Sequence, residues 1–191
     1  MSNNISFRAE FIKPETIKRC YQYKPAKDLA ASFVELKTNS SADRSALRGV
    51  CSLWGDGETF ASSILDNFED SVFWRETNKK YYALTLQKQH LETPNAKKFL
   101  GIAEIIQGAN RIKLKFLQAD PANNMHSSNP KFRGIGTAIL NALKAIFPNY
   151  DIILNTAESA REFYKANGFE ELGKSGDEMI FRHSKEADLP K

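Results

Sequence analysis

Residues 131–137 read Lys-Phe-Arg-Gly-Ile-Gly-Thr, two glycines two apart among cations and a hydroxyl. Glycines allow a ligand to approach the backbone closely, and a helix beginning here leaves its first N–H groups without intrahelical acceptors. The dipole of that helix favours an anion at the same end. Lys131 and Arg133 add charge and Thr137 adds a hydroxyl, so the chemistry is phosphate binding. A competing stretch, Gly168-Phe-Glu-Glu-Leu-Gly-Lys-Ser175, matches a nucleotide P-loop literally. That motif works when a strand enters the loop and a helix leaves it. Here a helix enters and the strand-like Met179-Ile-Phe leaves, while Glu170 and Glu171 would stand beside the phosphates. A helix cap at Gly168 and a turn over Gly173 to Gly176 are expected instead.

The elements that must position the first loop follow from hydrophobic periodicity. Ile5, Phe7, Ala9 and Phe11 alternate with polar residues as a strand that Pro14 ends. Ala31 to Leu36 is a strand or a loop. Ser40 with Asp43 forms a capping box, and Leu47, Val50, Cys51 and Trp54 follow at helical spacing until Gly55-Asp-Gly57. Phe60, Ile64, Leu65 and Phe68 mark a second helix. Tyr81 to Leu86 and Phe99 to Ile106 are strands, and Gly108 to Asn110 turns the chain into a third, Arg111 to Ala119. There Ile112, Leu114 and Phe116 alternate with lysines, but Phe116 and Leu117 are both apolar. That slip predicts a bulge. After a polar loop, Ile135, Ile139, Leu143 and Ile146 predict a helix ending at Pro148. Asp151 to Leu154 is a strand, Ala157 to Asn167 a helix capped by Gly168, and Phe169 to Leu172 with Met179 to Phe181 a final hairpin. Trp54, Trp74 and the phenylalanines are expected in the core.

The chain has 191 residues, 41% hydrophobic and 26% charged, which excludes disordered, collagen-like and coiled-coil polypeptides. One domain over residues 1–191 is expected, with an extended loop at 122–130 and a tail at 185–191. No apolar run reaches the ~20 residues of a membrane span, and the start does not read as a secretory signal. Cys20 and Cys51 make neither a disulfide framework nor a metal-ligand spacing, so no metal and a reducing, cytoplasmic compartment are expected. The net charge of +4 is too mild to argue for nucleic acid. It is unevenly spread: residues 1–50 carry +4, and residues 51–78 carry −5. An acidic stretch of that kind is ordinarily a solvated face.

Three blocks in order, Leu117-Gln-Ala-Asp-Pro121, Lys131 to Thr137, and Ala160-Arg-Glu-Phe-Tyr-Lys-Ala-Asn-Gly-Phe169, resemble the GNAT superfamily of acyl-CoA-dependent N-acetyltransferases. The resemblance is clearest over residues 112–181. It implies an α+β fold with a mixed, mostly antiparallel central sheet flanked by helices, and acetyl-CoA as acyl donor. It assigns the pyrophosphate to Lys131, Phe132, Arg133, Gly134, Ile135, Gly136 and Thr137, and the pantetheine arm to Leu117, Gln118 and Ala119. Lys131 stands where the superfamily usually has Arg or Gln. Ala157 stands where it often has Asn, and Asn155, two residues earlier, is the substitute for that pantetheine contact.

The same resemblance implies that a primary amine of a small molecule or peptide attacks the thioester directly. Tyr164 is then the acid for the departing thiolate; a core tyrosine on a helix face is the plainer reading of that residue. Glu104 is the expected base if its strand turns it to the cleft, with Asp120, His126 and a water chain as alternatives. The helical pair borders the acceptor cleft in the resembled fold, so the −5 segment suggests a cationic amine. Nucleic acid and membrane partners are not expected, and a homodimer through a sheet edge is allowed. The alternative is a catalytically silent CoA-binding or interaction module of the same fold.

Overall fold

The computed structural model describes residues 9–21, 24–55, 60–74, 76–88, 94–123, 127–173 and 177–183. Among these residues nine strands form one mixed sheet in the order β6-β1-β2-β3-β4-β5-β7-β9-β8. These are β1 (Glu10–Tyr21), β2 (Lys24–Leu36), β3 (Lys79–Thr85), β4 (Phe99–Gln107), β5 (Arg111–Ala119), β6 (Phe132–Arg133), β7 (Asp151–Asn155), β8 (Glu170–Leu172) and β9 (Glu178–Phe181). Helices α1 (Ser41–Trp54) and α2 (Phe60–Trp74) cover one face; α3 (Ile135–Ile146) covers the other, and α4 (Arg161–Ala166) follows β7. All strand pairs are antiparallel except β5 with β7.

Alternation along the strands divides the core. Tyr82, Leu84, Ala103 and Ile105 pack toward α3, against Ile139, Leu140 and Leu143. Tyr81, Ala83 and Ile102 pack toward α1 and α2, against Leu47, Val50, Ile64 and Phe68. Each such fully buried aliphatic chain contributes roughly 1.5–3 kcal/mol. Helix α3 approaches β4 closely because Gly101 has no side chain: a Cβ there would stand 2.7 Å from Ile139 Cδ1 and 2.8 Å from Ile135 Cγ2.

The N-terminal segment departs from expectation. The strand expected from Ile5 begins at Glu10, residues 5–8 lying outside the described residues, and it runs past Pro14 to Tyr21. Pro14 pairs with Ser32 of β2, while the other edge of β1 meets β6 only at Lys18 and Arg19. At Pro14 the strand is therefore a sheet edge, where a missing N–H leaves no partner orphaned. Ala31 to Leu36 belongs to the longer strand β2. Strand β6 was not anticipated from sequence. Ser40 does cap α1, its Oγ accepting from Asp43 N at 3.1 Å. The buried Asp43 carboxylate turns instead to Lys37 N at 2.8 Å and Ala9 N at 3.1 Å, tying the end of β2 to the helix start. Residues 56 and 57 of the expected stop signal lie outside the described residues; Gly55, at φ 87°, ends α1.

Three aromatic positions expected in the core are on the surface: Phe60, Phe73 and Trp74 are 51%, 75% and 70% exposed. Phe60 opens α2, and Phe73 and Trp74 occupy its last turn, past the stripe of Ile64 and Phe68 that meets the sheet.

Candidate active site

Strand β5 carries the site's central feature. Between Glu104 and Ile105 of β4 the register shifts: Glu104 faces Phe116 and Ile105 faces Leu114, leaving Lys115 as the extra residue of a bulge. The expected slip is present, one residue before the Phe116-Leu117 pair. The bulge returns Leu117 and Ala119 to the face of Ile112 and Leu114, while Phe116 packs on the α2 side. Parallel pairing with β7 covers only Arg111 to Leu114. Beyond Leu114 the two strands splay, and among the described residues the outer edge of β5 has no strand partner. Asp120 N donates to Leu100 O of β4 at 2.8 Å. Alternation along the strand therefore sends the N–H groups of Leu117 and Ala119 into the splay.

One end of the splay is the start of α3. Gly134, at φ 78° and ψ 12°, is the N-cap residue and carries no side-chain cap bond. The first helical bond runs from Ala138 N to Gly134 O at 2.9 Å, so the amides of the first turn are left facing outward. A left-handed conformation of this kind costs a residue with a Cβ about 1–2 kcal/mol. Gly136 meets α4: a Cβ there would lie 2.8 Å from Phe163 Cζ.

The segment before α3 is braced from two sides. Asn123 Oδ1 accepts from Lys131 N at 2.9 Å and Phe132 N at 3.0 Å, and Asn123 Nδ2 donates to Asp120 Oδ2 at 2.7 Å. On the other side Cys20 N of β1 donates to Lys131 O at 2.8 Å. Asn123 had no signal in the sequence beyond its place in a polar loop. Residues 124–126, with Met125 and His126, lie outside the described residues.

These elements enclose a cavity of about 520 Å³ lined by Leu117, Ala119, Asn123, Ser127, Pro130, Arg133, Gly134, Ile135, Gly136, Thr137, Ala160, Phe163 and Tyr164. Seven of the expected cofactor positions are thus brought together with Tyr164. Four are not. Phe132 turns to the opposite face of β6 from Arg133. Lys131 contributes its backbone to the bracing. The Gln118 side chain accepts from Phe60 N at 3.3 Å and donates to Ala119 O at 2.7 Å. Asn155 stands exposed at the end of β7, opposite Glu178.

Tyr164 packs edge-on to Phe163 and Phe169, with centroids 5.0 and 5.6 Å away. Burial pushes its phenol up to about 12. Glu104 is fully buried on the other face of the sheet, under α2. Its Oε2 accepts from Asn67 Nδ2 at 2.8 Å; Lys115 Nζ is 3.5 Å from Oε1, an ion pair without a hydrogen bond. Burial raises its carboxyl above the usual range, opposed by Asn67 and Lys115. Asp120 is occupied by Ala122 N at 3.0 Å and Asn123. In the acidic segment, Glu69 pairs with Arg48 at 2.6 Å and Glu76 with Lys79 at 2.6 Å. Asp56 and Glu58 lie outside the described residues. Among the described residues there is no cluster of three or more metal-ligating side chains, and no helix is long and apolar enough to cross a membrane. The P-loop-like stretch overlies β8, so a strand stands where that motif needs a loop and a helix; residues 174–176 lie outside the described residues.

The bulged and splayed strand, the open helix start and the α4 packing define the fold of the GNAT acetyltransferases, and this chain has that fold. It is similar to the ribosomal-protein-S18-alanine N-acetyltransferase of Escherichia coli, with TM-score 0.55 and 13% identity over 84% of this chain and 99% of that one. Tetrahymena GCN5 gives TM-score 0.54 and 14% identity over 82% and 99%. AtaTR bound with acetyl-CoA gives TM-score 0.52 and 17% identity over 79% and 92%. No protein-family model matches the sequence, and no curated protein matches it significantly.

Proposed function

We propose that the chain is an acetyl-CoA-dependent N-acetyltransferase acting on a primary amine. The observation that carries this reading is the single cavity that joins the unpaired edge of β5, the uncapped start of α3 and the Tyr164 side chain. The amides of residues 135–137, with Arg133 and Thr137, hold the pyrophosphate. The edge of β5 at Leu117 and Ala119 takes the pantetheine arm as an added strand. An N–H freed at the bulge then points at the thioester carbonyl; a preorganised donor to the developing oxyanion is typically worth about 3 kcal/mol.

The amine nitrogen attacks the thioester carbonyl carbon, forming the C–N bond; the C–S bond breaks, and the amine gives up one proton as the sulfur acquires one. With its phenol at about 12, Tyr164 stays protonated through the neutral range and donates a hydrogen bond to the sulfur as the bond breaks. Full transfer to a free thiolate of pKa about 8.5 would lie roughly 5 kcal/mol uphill, so the donation is tied to C–S cleavage. Glu104 is the group proposed to take the amine proton. It has a raised carboxyl, one oxygen without a hydrogen-bond donor among the described residues, and a place beside the bulge. The amine would approach it from the α2 face, past the stacked pair Phe60 and Phe116. A cationic amine fits Asp66 and Asp70 on that side better than Glu69 and Glu76, which are already paired.

Calorimetric titration of the full chain with acetyl-CoA and, separately, Mg-ATP tests the reading. Binding of acetyl-CoA with ATP silent is expected; the reverse would overturn it.

A further inference from the structure

We propose that a second cavity, on the far face of β6 from the acyl-CoA loop, binds a carboxylate carried on an apolar chain or ring. Strand β6 has only two residues, and alternation sends their side chains to opposite faces. Arg133 enters the first cavity, whereas Phe132 walls the second, whose volume is about 700 Å³, within the range of small-ligand pockets. The partner strand sorts its residues the same way: Lys18 stands opposite Arg133, and Arg19 opposite Phe132. Arg19 therefore lies beside Phe132 on the second cavity's side, and both line it.

The lining is mainly apolar and cationic; its two neutral polar residues, Ser32 and Gln87, are bonded within the protein, Ser32 Oγ donating to Gln87 O at 2.7 Å and Gln87 Oε1 accepting from Asn95 N at 2.6 Å. Pro14, Leu29, Ala30, Ala31, Leu86 and Phe132 make it apolar, and Ala30 and Ala31 are too small to fill the space left by the hairpin. Among the described residues its charged members are Arg19 and Lys88, and no carboxylate lines it. Neither cation enters an ion pair among the described residues; the Arg19 guanidinium lies 5.4 Å from the centre of the Tyr21 ring. The residue paired with Arg19 on β2 is Lys27, another cation. The nearby acids of the hairpin are engaged elsewhere, Asp28 with Lys18 and Glu15 with Lys13 at 2.9 Å.

A neutral apolar molecule would cover the wall and leave the cations uncompensated. A bare anion would meet the cations and leave the apolar wall wet. A carboxylate on an apolar body satisfies both, and a guanidinium matches the planar carboxylate with two parallel bonds. The site stands independently of the acetyltransferase reading.

Sodium decanoate, below its micelle concentration, is the probe for titration calorimetry on the full chain. Saturable one-to-one binding is expected, with decanol about tenfold weaker and acetate silent. The double variant Arg19→Gln/Lys88→Gln is expected to bind decanoate about tenfold or more weakly. Its melting temperature should match the parent's, because both side chains are exposed. Saturating CoA should leave decanoate binding in place, since the two cavities share no lining residue. A chain that fails to bind CoA would overturn the proposed function and leave this site decided by the other arms. No decanoate binding, equal binding by decanol, undiminished binding by the double variant, or displacement by CoA would each overturn the site.

Discussion

Phe163 stands against Gly136 so closely that a Cβ on the glycine would lie 2.8 Å from the ring's Cζ. The contact brings α4, and with it Tyr164, up to the first turn of α3, where the phosphates of an acyl-CoA are proposed to bind. Gly136→Val must push the ring away or tilt α3. Acetyl-CoA affinity is expected to fall about tenfold or more by calorimetry, at the level of a lost charge-assisted contact. Retained affinity would take the α3 turn out of the binding site.

Asn123 is the brace of the same loop, and its removal should be felt in two measurements. Asn123→Ala leaves the N–H groups of Lys131 and Phe132 without their acceptor and frees Asp120 from its amide donor. A loss of about 2 kcal/mol is expected, a fall in Tm of about 4–8 °C. KM for acetyl-CoA should rise with it. Asn123→Asp keeps the acceptor but sets a carboxylate against Asp120, so it should lose stability as well. An Asn123→Ala variant that melts with the parent would show that β1 alone holds the loop.

Tyr164→Phe keeps the ring packed against Phe163 and Phe169 and removes only the hydroxyl. Turnover is expected to fall about 100-fold with the affinity for acetyl-CoA unchanged. Because the folded phenol lies at about 12, above the ordinary value near 10, its contribution to stability is complete below pH 10 and is lost as the pH rises from 10 to 12. The variant's unfolding free energy should therefore lack that alkaline decline. Unchanged turnover would leave Tyr164 as a packing residue.

Glu104→Gln tests the base from both its chemistry and its charge. Burial favours the neutral carboxyl, so the folded state gains from Glu104 at low pH and loses that gain as pH rises from about 4.5 through the raised value. Glutamine should flatten this slope and melt higher than the parent near neutrality. For activity, a fall of about 100-fold in kcat with loss of the acidic limb of the rate profile is expected. A preserved limb with a changed KM would instead assign Glu104 to holding Lys115 and the bulge.

Gly134→Ala isolates backbone conformation from contact, because no atom of the described residues lies within 4 Å of a Cβ at that position. A loss of about 1–2 kcal/mol in stability is expected from the left-handed φ alone, read from denaturant unfolding.

Much of this site is visible in the sequence because its parts are local. A two-residue period over Ile112 to Phe116 names a strand, and its slip names a bulge, since a side chain's face depends only on its place in the pleat. Glycines 134 and 136 ahead of a helical stripe name an open helix start, because an uncapped first turn is a property of a few consecutive residues. Tyr164 and Gly168 lie on one short helix and its cap, so their spacing is readable as well.

The tertiary structure alone decided the rest, where the deciding partner is distant in the chain. Pro14 reads as a strand end until β1 is seen to be a sheet edge there. Phe132 and Arg133 look like loop until Lys18 and Arg19 pair with them. Asn123 is one polar residue among many until the backbone of Lys131 and Phe132 folds onto its side chain. Glu104 is a strand carboxylate of undecided face until Asn67 of α2 meets it at 2.8 Å and fixes the side of the sheet on which it lies. Period and φ are written residue by residue. Which edge is covered, and which face a strand presents to which helix, depends on chain segments that meet only when the whole sheet has formed.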